Sequence, residues 1–443
     1  MNDFAENQVK SQALATKLEQ FVAPLLSHLD RQIDKRLVRT FLLTLQAILT
    51  FRHGRNGLLL SELGGYILSP QQAPAGTKRL SNLLRCGKWV YTLLETYLWQ
   101  RAEQQRAALA AEGQTAYIIW DESVLEKAES VSPEGLCPVR SSRAARLKRI
   151  KPGYYNPPSG RPIFVPGMQW IGLLVSGLNG VPSVVAMRWW SSRGKGKSDK
   201  RTEASKLLHR CSRLWGRTVV HVWDRGFASS AWLHRVFKHN LRFILRWPKR
   251  YKLVDAKGNR NAWKMARGKR SVDHRLIWDA RRRCWRKTGI VFVRVQHPKQ
   301  QPPLWLVISR PGKGREPWYL LTNEPIQSVD DAWRIVLAYA RRWLIETTFR
   351  YSKSELAMES PRLWQWHNRL KLLLMVTLVY AFLLSLLHLD CQLLRDWLLR
   401  HWCHRTGKRY HEFAIPLYRL RSAISRLWLS HPPTFFFQWE TSG

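Results

Sequence analysis

Tyr339-Ala340-Arg341-Arg342-Trp343-Leu344-Ile345-Glu346-Thr347-Thr348-Phe349-Arg350-Tyr351-Ser352-Lys353 contains neither Pro nor Gly and sits inside an apolar-periodic run, so it reads as helix. At about 100° per residue, Tyr339, Arg342, Glu346 and Lys353 fall within roughly 60° of one another, and Arg350 joins them. One face therefore carries a carboxylate flanked by cations. Two readings fit it. In the first it is a solvated stripe of charge beside a buried stripe of Trp343, Leu344 and Ile345. In the second, Glu346 binds a metal and its basic neighbours hold phosphates, which requires two more carboxylates from elsewhere in the chain.

Upstream, two short β-rich runs end on acids. Residues 116–120 lead into Asp121-Glu122, and residues 217–223 lead into Asp224-Arg225-Gly226. A strand end is where a sheet presents catalytic carboxylates, and it is also where Asp commonly forms a turn. Between the two acids, residues 168–178 and 181–190 are β-rich runs joined by Asn179-Gly180, a hairpin signal. A basic Gly-rich loop at 193–197 and an amphipathic helix at 202–215 follow. Beyond Asp224 come a helix at 229–239 and a strand at 241–247. Residues 248–318 then turn polar, basic and strand-like, clearest at 290–295 and 305–308, and read as a mainly β insertion between the second acid and the third. Ser328 reads as the cap of the helix that carries Glu346. The stretch 132–166, with Arg140, Arg143, Arg146, Lys148, Arg149 and Lys151, reads as a loop either mobile or bound to DNA.

Lys and Arg number 73 against 31 Asp and Glu, for a formal charge of +42. A folded chain that basic needs a polyanion to offset its self-repulsion. With 23 Trp interleaved among the cations, nucleic acid fits better than a membrane surface, because aromatic rings stack on bases while cations track phosphates. The apolar run at 372–387 contains Thr377 and Ser385, is shorter than about 18 residues, and reads as a buried helix. The six cysteines form no C-x-x-C pair, so reduced thiols are expected rather than a zinc site or disulfide framework. No signal-peptide pattern opens the chain. The first 110 or so residues read as helical. Thr77 is a plausible N-cap for a helix presenting Lys78, Arg79 and Arg85 outward, a pattern compatible with DNA reading and equally with any small bundle in so basic a protein.

The order of elements (strand-Asp, hairpin, helix, strand-Asp, helix, strand, β insertion, helix-Glu) is that of an α/β ribonuclease-H-like catalytic core interrupted by a mainly β insertion, with helical N- and C-terminal regions. Here the chain resembles the bacterial insertion-sequence DDE transposases marked by Y-x2-R-x3-E-x6-K: Tyr339, Arg342, Glu346 and Lys353 match at every position. Trp318-Tyr319-Leu320-Leu321-Thr322-Asn323-Glu324-Pro325 is similar to that family's link from β insertion to catalytic helix, and Asp224-Arg225-Gly226-Phe227 to its second-Asp motif.

The resemblance implies that Asp121, Asp224 and Glu346 are catalytic and hold two Mg2+ ions, with Mn2+ substituting, although Asp121-Glu122 offers two adjacent acids for the first position. It implies phosphate contacts from Tyr339, Arg342 and Lys353, with Arg350 on the same face and intrahelical pairing with Glu346 the alternative for Arg342; from Arg246, where a plain surface arginine is the alternative; and stacking of Trp318 on a flipped base, where an ordinary core Trp is the alternative. The expected division is a helical DNA-binding domain at 1–112, the two parts of the core at 113–247 and 319–390, the insertion at 248–318, and a C-terminal helical region at 391–443, which by the resemblance pairs two subunits. The implied function is metal-dependent cleavage at terminal inverted repeats and strand transfer into target DNA, by a homodimer acting on double-stranded DNA in the bacterial cytoplasm at the nucleoid and not on a membrane. A stand-alone nuclease and a non-catalytic DNA-binding derivative are the alternatives.

Overall fold

The computed structural model describes residues 3–52, 56–127, 129, 132–141, 163–194, 196–279, 284–312, 314–403 and 417–435. Five helices open the chain: α1 (Asp3–Asp30), α2 (Lys35–Thr50), α3 (Leu60–Ile67), α4 (Ala73–Arg85) and α5 (Thr92–Ala111). α4 starts earlier than its sequence suggests. Pro74 sits in its first turn, where a missing N–H costs nothing, so Thr77 lies inside the helix and its hydroxyl donates to Leu60 O and Ala73 O instead of capping. α3 and α4 cross at two bare positions, since a Cβ on Gly76 would fall 2.2 Å from Gly64 O.

The rest is a mixed α/β body built on one twelve-stranded sheet ordered β2-β3-β1-β5-β6-β12-β11-β10-β7-β8, with β4 on β3 and β9 on β10. The strands are β1 (Ala116–Glu126), β2 (Cys137–Arg140), β3 (Phe164–Ser176), β4 (Ser183–Trp190), β5 (Val219–Trp223), β6 (Arg242–Arg246), β7 (Lys252–Asp255), β8 (Gly258–Asn261), β9 (Asp273–Asp279), β10 (Cys284–His297), β11 (Gln300–Arg310) and β12 (Trp318–Thr322). β1, β5 and β6 run parallel, and β3 and β4 are antiparallel to their neighbours. Val219-Val220-His221-Val222-Trp223 is buried throughout, as expected of a parallel strand covered on both faces. One core lies on the side of Tyr117 and Ile119, the other on the side of Trp120, Trp223 and Trp232.

Two readings of the sequence change here. Residues 137–140 and 164–166, expected in a loop, pair as strands, while Arg143, Arg146, Lys148, Arg149 and Lys151 lie outside the described residues. The insertion forms no sheet of its own: β12 returns beside β6, and β11 and β10 extend the same sheet outward.

The remaining helices are α6 (Lys200–Leu214), α7 (Ser230–Lys238), α8 (Ala262–Ala266), α9 (Val329–Ala340), α10 (Trp343–Ser354), α11 (Trp366–Ser385), α12 (Gln392–Trp402) and α13 (Leu417–Ser430). α11 is long and apolar enough to cross a membrane by length and composition, but 89% of its apolar window is buried inside the protein. The helix expected to carry Tyr339 and Glu346 together is in fact two. Ser328 caps α9, not the helix of Glu346, and at Arg341-Arg342 the chain tightens into three-residue hydrogen bonds before α10 begins. Arg341 explains the break: its Nη2 donates to Ser176 Oγ (2.7 Å) and Gly180 O (2.5 Å) at the β3–β4 turn. Trp343, expected in a buried stripe, is 47% exposed, whereas Ile345 is fully buried.

Candidate active site

Asp121 lies within β1, and Asp224 directly follows β5, its parallel neighbour. β1 and β5 pair Ile119 with Val222, and carrying that register two residues on brings Asp121 opposite Asp224. Strand alternation then sorts the two adjacent acids. Asp121 lies on the side of Tyr117 and Ile119, towards α10, while Glu122 lies on the other side and pairs with Lys200 at 2.6 Å.

Glu346 reaches the same place because α10 lies close on the sheet. Gly172, the β3 partner of Asp121, has no side chain, and a Cβ there would meet Phe349 Cε1 at 2.8 Å and Ile345 Cδ1 at 3.1 Å. Arg342 ties the acids together: its Nη1 donates to Asp121 Oδ2 at 2.8 Å and its Nη2 to Glu346 Oε1. Asp224 Oδ1 accepts from Arg225 N at 2.6 Å and from the Tyr339 hydroxyl at 3.5 Å.

Burial pushes the Asp121 carboxyl up to about 6, against the pull of Arg342 and the Glu122 N–H, and Asp224 and Glu346 push the same way. Burial alone would lower the Arg342 guanidinium, but Tyr339 and the three acids together raise it, so it stays charged. Burial raises Tyr339 to about 12, leaving a protonated phenol that is also hydrogen-bonded to Arg246.

Of the residues singled out in the sequence, Tyr339, Arg342, Arg246 and Trp318 are brought to the acids. The Trp318 ring meets the Tyr339 ring edge-on at 5.0 Å and is partly buried. Lys353 reaches β1 and donates to Ser123 Oγ at 2.7 Å. Ser123 was missed, although as the residue two after Asp121 on a strand it must share that face. Arg350 is exposed on α10, and Lys78 and Arg79 are exposed on α4, away from the acids.

Among the described residues, no three carboxylates, imidazoles or thiols stand ready as a cation cage, because Arg342 lies between Asp121 and Glu346. The chemistry of the donor set nonetheless fits a divalent cation. Carboxylate oxygens suit a hard ion, and the three acids converge on one guanidinium that such an ion could replace.

Residues 173–382 match the family described as transposase DDE domain, a span that includes Asp224 and Glu346. Among solved structures, the chain is similar to the cryo-EM structure of the piggyBac transposase synaptic complex with hairpin DNA, at 14% identity over 89% of this chain and 76% of that one, with a TM-score of 0.40. No curated protein sequence matches. DDE transposases typically use divalent metal ions and take DNA as partner. Residues 173–382 thus carry a transposase DDE domain, which supports DNA transposition as the function of the chain.

Proposed function

We propose that this is a cut-and-paste transposase with a ribonuclease-H-like core, cleaving at terminal inverted repeats and joining the ends to target DNA. Support for the core comes from the run β4-β3-β1-β5-β6, antiparallel on one side and parallel on the other. Asp121, Asp224 and Glu346 would hold two Mg2+ ions, with Mn2+ as substitute. When bound, such ions activate an attacking oxygen and stabilise the leaving one. The observation carrying this reading is the single guanidinium shared by Asp121 and Glu346 beside Asp224: a divalent cation would meet the same oxygens.

Arg342, displaced from the acids, is placed to grip a DNA phosphate, with Lys353, Arg246 and Arg350 along the same strand. The neutral Tyr339 phenol donates a hydrogen bond, and the Trp318 ring beside it offers a stacking surface for a base lifted out of the duplex. The exposed Lys78 and Arg79 of α4 provide sequence-end contacts in a homodimer working at the bacterial nucleoid.

The test uses the DNA flanking the coding sequence as substrate. The wild-type protein with Mg2+ should give nicked and then joined products, while Glu346→Gln binds the same DNA and leaves it intact. Normal cleavage by Glu346→Gln would sink the assignment, and cleavage without joined products would leave a nuclease.

A further inference from the structure

β9 and β10 form a hairpin that outgrows the sheet. On β10, the pairing with β11 begins only at Gly289, so Cys284–Thr288 are held by β9 alone and reach roughly 17 Å past the last sheet row, at about 3.4 Å per residue. Register gives the direction. Moving from Gly289 towards Cys284 is moving forward on β11, backward on β12 and forward on β6, which is parallel to β5 and β1. The hairpin therefore overhangs the edge towards which β1 and β5 run, the edge where Asp224 follows β5.

Its two faces differ. Arg275 and Ile277 point inward: Arg275 binds Asp330 at the start of α9 and lies over the Trp333 ring at 5.2 Å, and Ile277 packs on the core. The cross-strand pairs Leu276–Lys287 and Trp278–Trp285 share the other face. That face is open, with Leu276 64%, Trp278 39% and Trp285 64% exposed, and the two indoles 5.5 Å apart. Lys269 and Arg270, just before β9, are exposed at its root.

We propose that this face is a docking arm for an unpaired DNA strand, with Trp278 and Trp285 stacking on bases and Lys287, Lys269 and Arg270 following the phosphates. Two large indoles left in water beside cations are what single-strand binding requires, since every base has a π-face and every link a negative charge. Charge argues against a second copy of the chain as occupant of this face, because Lys287, Lys269 and Arg270 would meet the same cations across it. The arm's relation to the reaction rests on reading the three acids as the cutting site; its binding of DNA does not.

The experiment measures binding of a labelled oligothymidine of about 16 nucleotides, and of a duplex of equal length, to the full chain without divalent cations, so that no cleavage is involved. Replacing Trp278 and Trp285 together by Ala should weaken oligothymidine binding about tenfold or more and duplex binding about twofold at most, and replacing both by Phe should retain it. Unchanged oligothymidine binding in the Ala pair would overturn the proposal. So would an equal loss for duplex, an equal loss in the Phe pair, or a shift of the DNA-free protein to a smaller oligomer in the Ala pair. Because no cleavage is read, a failure here is separate from a failure of the acids to cut.

Discussion

Two clusters of charge sit a few residues apart on β1 and are held in opposite ways. At Asp121 the partners are other side chains: Arg342 bridges Asp121 and Glu346, and these three remain 13%, 15% and 30% exposed. At Lys127 the cations end mainly on main chain, with the Glu129 carboxylate farther off at 3.8 Å. Lys127 Nζ donates to Glu359 O at 2.9 Å and to Pro361 O, while the fully buried Arg369 donates to Glu134 O at 2.8 Å and to Leu363 O. A side-chain partner can swing away and be replaced by another charge, whereas a carbonyl fixed in the backbone cannot. The first cluster is exchangeable and suited to chemistry. The second is a clamp fastening the end of β1 to the segment between α10 and α11.

The sharpest way to break this contrast is at the adjacent acids. Asp121→Asn should lower strand cleavage by about 10³-fold or more, since the metal interactions at stake amount to several kcal/mol, while Glu122→Gln, on the other face of β1, should change it only a few-fold. The reverse result in a cleavage assay would put the site on the wrong side of the strand. Arg342→Ala comes next, with cleavage falling about 10²-fold. The metal-free variant should also melt lower than the parent, because three acids lose their cation, and Mn2+ should raise its melting temperature more than the parent's. Equal Mn2+ shifts in the two proteins would mean the guanidinium and the ion do not compete.

In the clamp, no ion should substitute. Arg369→Met strands two buried carbonyls and should cost about 2–4 kcal/mol in urea unfolding, with no rescue by Mn2+. The smallest effect concerns Lys127, whose ammonium burial lowers to about 7 although Glu129 and Glu359 pull it back up. An unfolded lysine keeps its proton to about 10.4, so between about pH 7 and 10.4 the unfolded chain binds more protons and stability rises with pH. Thermal unfolding across that window should show a flatter slope in Lys127→Met than in the parent.

The candidate acids were legible because each stands in a recognisable local setting: a buried β run leading into Asp, twice, and Glu346 at fixed spacing from Tyr339, Arg342 and Lys353. What it hid was set by distant partners. Nothing local in Arg341-Arg342 announces a helix break, since the break depends on Ser176 and Gly180 more than 150 residues earlier. Trp343 looked buried by its apolarity, but its orientation follows from Ile345 and Phe349 seating α10 over Gly172. The insertion was legible as strands. Its union with the core sheet was not, because β12 finds β6 across more than 70 residues.

One arrangement at the chain's extremities bears on biosynthesis. On α1, Ser11 Oγ donates to His431 O at 2.6 Å, Gln12 Nε2 to Thr434 O at 2.6 Å, and Glu6 accepts from the Trp397 indole at 2.9 Å. α1 thus makes contacts with residues some 390 to 420 positions later in the chain, a closure of very high sequence separation. The apolar side of α1 can settle early on α2 and α5, where Phe21 meets Tyr97, but the polar contacts of Glu6, Ser11 and Gln12 wait until α12 and the residues after α13 have been made.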